Sequence, residues 1–198
     1  MLGTMARTES TMLGLGTPAP DFQLPDVVTG KTIQLSSFAG KKALLVIFLS
    51  RHCPYVQHVQ QELARLGKDY ASESIGIVAI SPNFVEQYPD DAPPRLAEMA
   101  AQLGIVYPIC YDESQDVAKA YQAACTPDFF LFDENRLLVY RGQLDGSRPG
   151  NAVPVSGQDL RAAIDAVLSG RPVNAVQKPS LGCNIKWRPG NEPAYFQH

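Results

Sequence analysis

Lys41-Lys42-Ala43-Leu44-Leu45-Val46-Ile47-Phe48-Leu49-Ser50-Arg51-His52-Cys53-Pro54-Tyr55-Val56 is the stretch that decides the fold. Ala43 to Leu49 is a continuous apolar run with polar residues at both ends. That is the pattern of a central strand covered on both faces. Helical spacing begins within a few residues, because Val56, Val59, Leu63, Leu66 and Tyr70 recur at steps of three and four and form one stripe. Pro54 suits the first helical turn, where its missing N–H has no partner to lose. A second apolar run, Ile75 to Ile80, follows the helix, so strand, helix and strand make a crossover unit with a parallel, central pair.

Outward from this unit the pattern repeats more loosely. Residues 94–103 and 114–122 read as helices, with a short strand at 107–111 between them. Residues 129–132 and 137–140 read as a hairpin closed by Asp133-Glu134-Asn135-Arg136. Leu160, Ile164 and Leu168 mark a last amphipathic helix over 157–169, and Thr32 to Leu35 alternates like a short edge strand. The expected architecture is an α/β fold with a mixed central sheet flanked by helices. Residues 1–16 form a flexible lead, 17–170 the domain and 171–198 an extended tail laid over the surface. Pro179 and Pro189 argue against a helix or a central strand in that tail.

The chain has 198 residues, enough for one well-buried core, and its net charge of −3 offers no basic surface for nucleic acid or anionic membrane. No run is long enough to span a bilayer. Met1 to Gly16 has no basic start followed by an apolar stretch, so the reading predicts no signal peptide and a cytoplasmic location. The four cysteines, Cys53, Cys110, Cys125 and Cys183, are too few and too spread for a secreted disulfide framework. His52, Cys53 and His58 lack a recognised metal-ligand spacing, and neither metal nor cofactor is expected.

Cys53 stands out because it closes a strand and opens a helix. Unpaired backbone N–H groups and the positive end of the helix dipole favour thiolate over thiol there, and the thiolate is the nucleophile toward a disulfide sulfur or a peroxide oxygen. His52 beside it is a candidate proton acceptor. Thr126-Pro127, just before the strand at 129–132, reads either as an ordinary turn or as a cis peptide. The second would leave the Thr126 backbone free to pair with an extended substrate. Cys110, at the end of an apolar strand, reads as core.

With these residues in hand, the chain resembles the thioredoxin superfamily, and within it the alkyl hydroperoxide reductase and thiol-specific antioxidant group. The stretches that carry the resemblance are Pro18-Ala19-Pro20-Asp21-Phe22, His52-Cys53-Pro54-Tyr55-Val56, Tyr111-Asp112-Glu113-Ser114 with Val117-Ala118-Lys119-Ala120-Tyr121, and Thr126-Pro127-Asp128-Phe129-Phe130-Leu131-Phe132-Asp133. The tail Lys178 to Trp187 is similar to that of a bacterial subgroup labelled probable thiol–disulfide isomerase. The resemblance implies a thioredoxin-like fold, Cys53 as the reacting thiol, and Ser50, His52, Pro54, Tyr55, Thr126 and Pro127 as the substrate-binding surround.

The departures from the family pattern shape the chemistry. Val56 stands where thioredoxins carry a second cysteine, and Ser50 stands where some of the subgroup do, so no neighbouring thiol completes a pair. The strand Leu44 to Leu49 lacks the buried acid of thioredoxins. Val46 replaces the peroxiredoxin proline, and Pro127 falls where their arginine should be, leaving Arg51 and Arg141 as possible substitutes. Cys183 or Cys125 is then the expected partner of Cys53. Three functions remain open: a thiol oxidoreductase acting on a protein disulfide or small thiol, with thioredoxin or glutathione as reductant; a thiol peroxidase; and a redox-inert module whose Thr126-Pro127 groove holds an extended partner. Oligomeric state stays open.

Overall fold

A computed structural model describes residues 7–196. The elements in chain order are β1 (Arg7–Glu9), β2 (Gln23–Pro25), β3 (Thr32–Gln34), β4 (Ala43–Phe48), α1 (Pro54–Asp69), β5 (Ile75–Ser81), α2 (Pro93–Leu103), β6 (Ile109–Tyr111), α3 (Asp116–Ala120), β7 (Cys125–Thr126), β8 (Asp128–Phe132), β9 (Leu138–Gly142), α4 (Gln158–Leu168) and β10 (Leu181–Asn184). The main sheet has the order β6-β5-β4-β8-β9. β4 pairs parallel with β5, β5 parallel with β6, and the β8–β9 hairpin joins antiparallel at β4. It is the expected mixed sheet with helices on both faces.

The apolar run of β4 is continuous because both of its faces are covered. Leu45, Ile47 and Leu49 pack with Val56, Val59, Leu63 and Leu66 of α1 and Leu160 and Ile164 of α4. Leu44, Val46 and Phe48 point the other way, into a cluster with Tyr121, Phe130 and Phe132. The Tyr121 ring sits 5.6 Å from Phe48 and 5.8 Å from Phe130 in tilted and edge-on contacts. No helix among the described residues is long and apolar enough to cross a membrane.

The two ends of the chain differ from the sequence reading. Residues 7–9, expected within a flexible lead, form β1, and the tail contains β10. Together with β7 they make a separate antiparallel sheet of order β1-β10-β7, so β10 is a middle strand. Pro179 and Pro189 do not prevent this, because both lie outside the four paired residues. Neither end shows an alternating pattern of its own, since each strand is three or four residues long and finds its partner across the whole chain.

The tail is fixed on both sides of β10. Upstream, Ser10 N–H donates to Ser180 O (3.0 Å), Ser180 N–H to Ser10 Oγ (2.9 Å), and Ser180 Oγ to Pro127 O. Downstream, Ile185 N–H donates to Ala124 O, Lys186 N–H to Asn83 Oδ1, and Phe84 N–H and Gln115 Nε2 to Lys186 O. Ile185 and Trp187 are buried in the Phe48–Tyr121 cluster. At about 0.5–1.5 kcal/mol per hydrogen bond and about 1.5–3 kcal/mol for a fully buried aliphatic or phenylalanine-sized side chain, holding the tail is worth several kcal/mol. A substitute strand pairing with β7 alone would recover only a small part of that.

Candidate active site

Cys53 is the N-cap of α1, at φ −72° and ψ 120°, and Pro54 follows at the first helical position. The last residue of the β4 run, Leu49, still pairs with Ile80. The chain then turns at the carboxyl end of β4 and delivers Cys53 to the open amides of the helix start. Thr126–Pro127 is a cis peptide bond, and Thr126 O accepts from the Cys53 thiol at 3.1 Å. In the β7–β10 register Thr126 stands opposite Cys183 and Cys125 opposite Asn184. That register brings Cys183 Sγ to 2.7 Å from Cys53 Sγ, within about 1 Å of the ~2.05 Å of a disulfide bond.

All four cysteines are free and buried. Burial by itself pushes a thiol pKa up. At Cys53 that push is overcome by the Cys183 thiol, the Thr126 side chain, and the Val56 and Cys183 N–H groups, all of which favour the thiolate. Its pKa falls to about 6. Cys183 is driven the opposite way, first by its bond to the Cys53 sulfur and then by burial, so it stays protonated and donates. The two sulfurs thus favour opposite protonation states, thiolate at Cys53 and thiol at Cys183.

Cys125, the other candidate partner, is 0% exposed with its Sγ turned toward Pro127 O at 3.8 Å, and burial raises its pKa well above the ordinary value. Cys110 is core, with burial raising it to about 12. Of the three remaining thiols, only Cys183 is in hydrogen-bond contact with Cys53. The two arginines considered as substitutes are engaged elsewhere: Arg141 binds Leu13 O and Gln177 Oε1, and Arg51 meets Asp90 at 3.4 Å on the surface. Tyr55 lies beside the partly open space between Pro127, Phe129 and Ser147.

Ser50 and His52 converge on Asp91, a residue the sequence reading passed over. Asp91 is fully buried and accepts from Ser50 Oγ (2.9 Å), Arg51 N–H (2.6 Å), His52 Nδ1 (2.6 Å) and Asn83 Nδ2 (2.7 Å). Burial opposes its ionisation. The His52 hydrogen bond and charge, with Asn83 and Ser50, outweigh that and hold the carboxyl below its usual range. His52 stacks on Tyr88 at 5.3 Å, and its buried Nε2 has no hydrogen-bond partner among the described residues. Lys186 Nζ lies 5.7 Å from the same tyrosine ring and is held by Asn184 O at 3.0 Å. A local motif could not have found Asp91 or Lys186, because one comes from the loop before α2 and the other from the tail.

β4 itself carries no acid, but the neighbouring strand does. Asp128 begins β8 opposite Phe48, is fully buried, and burial lifts its pKa to about 8. Among the described residues no group of three or more His, Cys, Asp or Glu is placed to hold a metal ion.

A five-stranded mixed sheet, a cysteine at the start of the helix after its central strand, and a cis-proline loop against that cysteine define a thioredoxin-like protein. The AhpC/TSA family model matches residues 15–141, and the chain belongs to that family. It is 30% identical over 130 residues to thiol-disulfide oxidoreductase ResA of Geobacillus kaustophilus (strain HTA426), covering 65% of this chain and 68% of that protein. An uncharacterized conserved protein from Geobacillus kaustophilus has a crystal structure that superposes at TM-score 0.92 and 50% identity, over 94% of this chain and 98% of the other. A thiol:disulfide interchange protein of the thioredoxin family from Chlorobium tepidum TLS shares the fold at TM-score 0.58 and 22% identity, over 79% and 97% of the two chains.

Proposed function

We propose that this chain is a thiol oxidoreductase whose redox pair is Cys53 and Cys183, two cysteines 130 residues apart in sequence. The observation that carries this reading is the 2.7 Å approach of their sulfurs, with Cys53 lowered to about 6 and Cys183 protonated beside it. Toward a disulfide RS–SR, the Cys53 thiolate attacks one sulfur, forms Cys53–S–SR and expels RS⁻. Cys183 then passes its proton to a departing thiolate and attacks Cys53 Sγ, which closes the internal disulfide and releases the second RS group. Toward a hydroperoxide ROOH, the Cys53 thiolate takes the terminal oxygen as the O–O bond breaks and the alcohol ROH leaves, giving a sulfenic acid; Cys183 Sγ then attacks Cys53 Sγ, closing the same disulfide and releasing water. The second cycle is supported by the same contact, because the resolving thiol already touches the sulfur to be resolved.

Two electrons from a thiol reductant, of the thioredoxin or glutathione class, return the pair to the dithiol. A cytoplasmic setting fits this chemistry, since reducing compartments keep such thiols available. The test is mild oxidation followed by non-reducing peptide mapping. The expected product is a single Cys53–Cys183 bridge, lost in Cys183→Ser. A Cys53–Cys125 bridge, or no bridge in either protein, would refute the assignment.

A further inference from the structure

β10 occupies the position at which an extended substrate would pair with Thr126. Cys183 stands opposite Thr126 in the antiparallel register, and Cys183 Sγ sits against Cys53 where an incoming sulfur would have to come. The outer edge of β10 is closed as well, since Arg7, Thr8 and Glu9 of β1 pair with Cys183, Gly182 and Leu181. The fit is tight. A Cβ on Gly182 would fall 1.9 Å from Thr126 O, so only glycine allows the strand to approach this closely. Cys53 and Cys183 are 0% and 3% exposed.

Resting on the assignment of Cys53 and Cys183 as the redox pair, we infer that the tail stays in place during turnover and restricts the oxidant to compact molecules, hydroperoxides or low-molecular-weight disulfides. A disulfide carried on an extended polypeptide is excluded, and Gly182 is the specificity-determining residue. An extended polypeptide could react only by taking the place of β10. That would break the Ser10–Ser180 and Ser180–Pro127 bonds, release Ile185 and Trp187 from the core, and detach Lys186 from Asn83. A compact oxidant needs only a transient opening beside Cys53.

The experiment compares cystamine with an extended cysteine peptide carried as its mixed disulfide with cysteamine, so that both can expel the same thiolate. Cys183→Ser keeps the tail and traps the adduct on Cys53, which mass spectrometry follows with time. The expected result is a peptide rate lower than the cystamine rate by about tenfold or more. In Gly182→Ala with Cys183→Ser the added Cβ drives the strand off Thr126, and the peptide rate rises by a similar factor. Hydrogen exchange across residues 181–187 reports the release directly. Equal peptide and cystamine rates with the tail in place, or release of the tail without a gain in peptide rate, would overturn the inference. Unchanged exchange in Gly182→Ala would overturn it too, because the close packing would then not exclude anything. The assignment of the redox pair fails separately, if wild-type protein forms no Cys53–Cys183 bridge with cystamine or hydrogen peroxide.

Discussion

Cys53 follows the carboxyl end of β4 and Cys110 sits within β6, two strands across the same sheet. Both are buried at 0% exposure, and their pKa values move in opposite directions, to about 6 and about 12. Cys110 is the middle residue of β6, among the side chains of the Phe48–Tyr121 cluster, where burial and the Asp26 charge both raise its pKa. Cys53 loses water to the same degree, yet meets a helix start, the Thr126 side chain and the Cys183 thiol and N–H. The difference shows that burial makes a thiol inert unless donors replace the solvent, after which the same burial shields a thiolate from competing reactions.

The sharpest way to break this comparison is to exchange the thiols one at a time. Cys53→Ser is expected to reduce turnover with hydrogen peroxide or cystamine to background, while Cys110→Ala and Cys125→Ala keep the wild-type rate per folded molecule. Loss of activity in either alanine variant, with the fold intact by circular dichroism, would mean that the environment does not separate the sulfurs.

The next effect is on stability. Asp91 gathers four donors in a buried site next to the Ser50–Cys53 turn, and Asp91→Asn would turn an NH₂ toward some of them. A loss of about 1.5–3 kcal/mol in denaturant unfolding is expected, the range for hydrogen bonds to a buried charge. The native carboxyl titrates below its usual range, so this stability is present above pH ~4 and disappears as pH falls through the native value. An Asn variant as stable as wild type would show that the network only decorates the site.

A pH-dependent effect concerns Asp128, whose shift runs the other way. Its native pKa of about 8 lies above the unfolded value of ~3.9, so between them the folded protein holds a proton that the unfolded chain has released. Stability therefore falls as pH rises from about 4 to about 8 and levels off above. Asp128→Asn is expected to flatten that slope and raise the thermal midpoint at pH 8. An unchanged slope would place the native titration elsewhere.

The sequence was most legible where pattern is local. The β4 run, the α1 stripe and Cys53-Pro54 lie within one continuous stretch, and the hairpin follows its turn residues. The other half of the candidate site is spread along the chain. Cys183 was visible as a possible partner only because Val56 and Ser50 leave both adjacent positions empty. Its β-strand context was not visible, because β10 takes its structure from β1 and β7. Asp91 reaches His52 through a loop of proline and acidic residues that carries no periodicity. The strand Leu44 to Leu49 has no acid, and the buried Asp128 beside it comes from β8, a neighbour that only the antiparallel register of β4 and β8 reveals.

The account rests on the tail strand completing the chemistry of Cys53, and thiolate absorbance titration in the ultraviolet tests that most directly. Wild type is expected to show one thiolate forming with a midpoint near pH 6, absent in Cys53→Ser. Cys183→Ala removes the strongest donor and should move that midpoint upward toward the free-cysteine value of about 8.5, with Cys183→Ser, which keeps a hydroxyl, in between. A wild-type midpoint already near the free-cysteine value, or one that Cys183→Ala leaves where it was, would contradict the account.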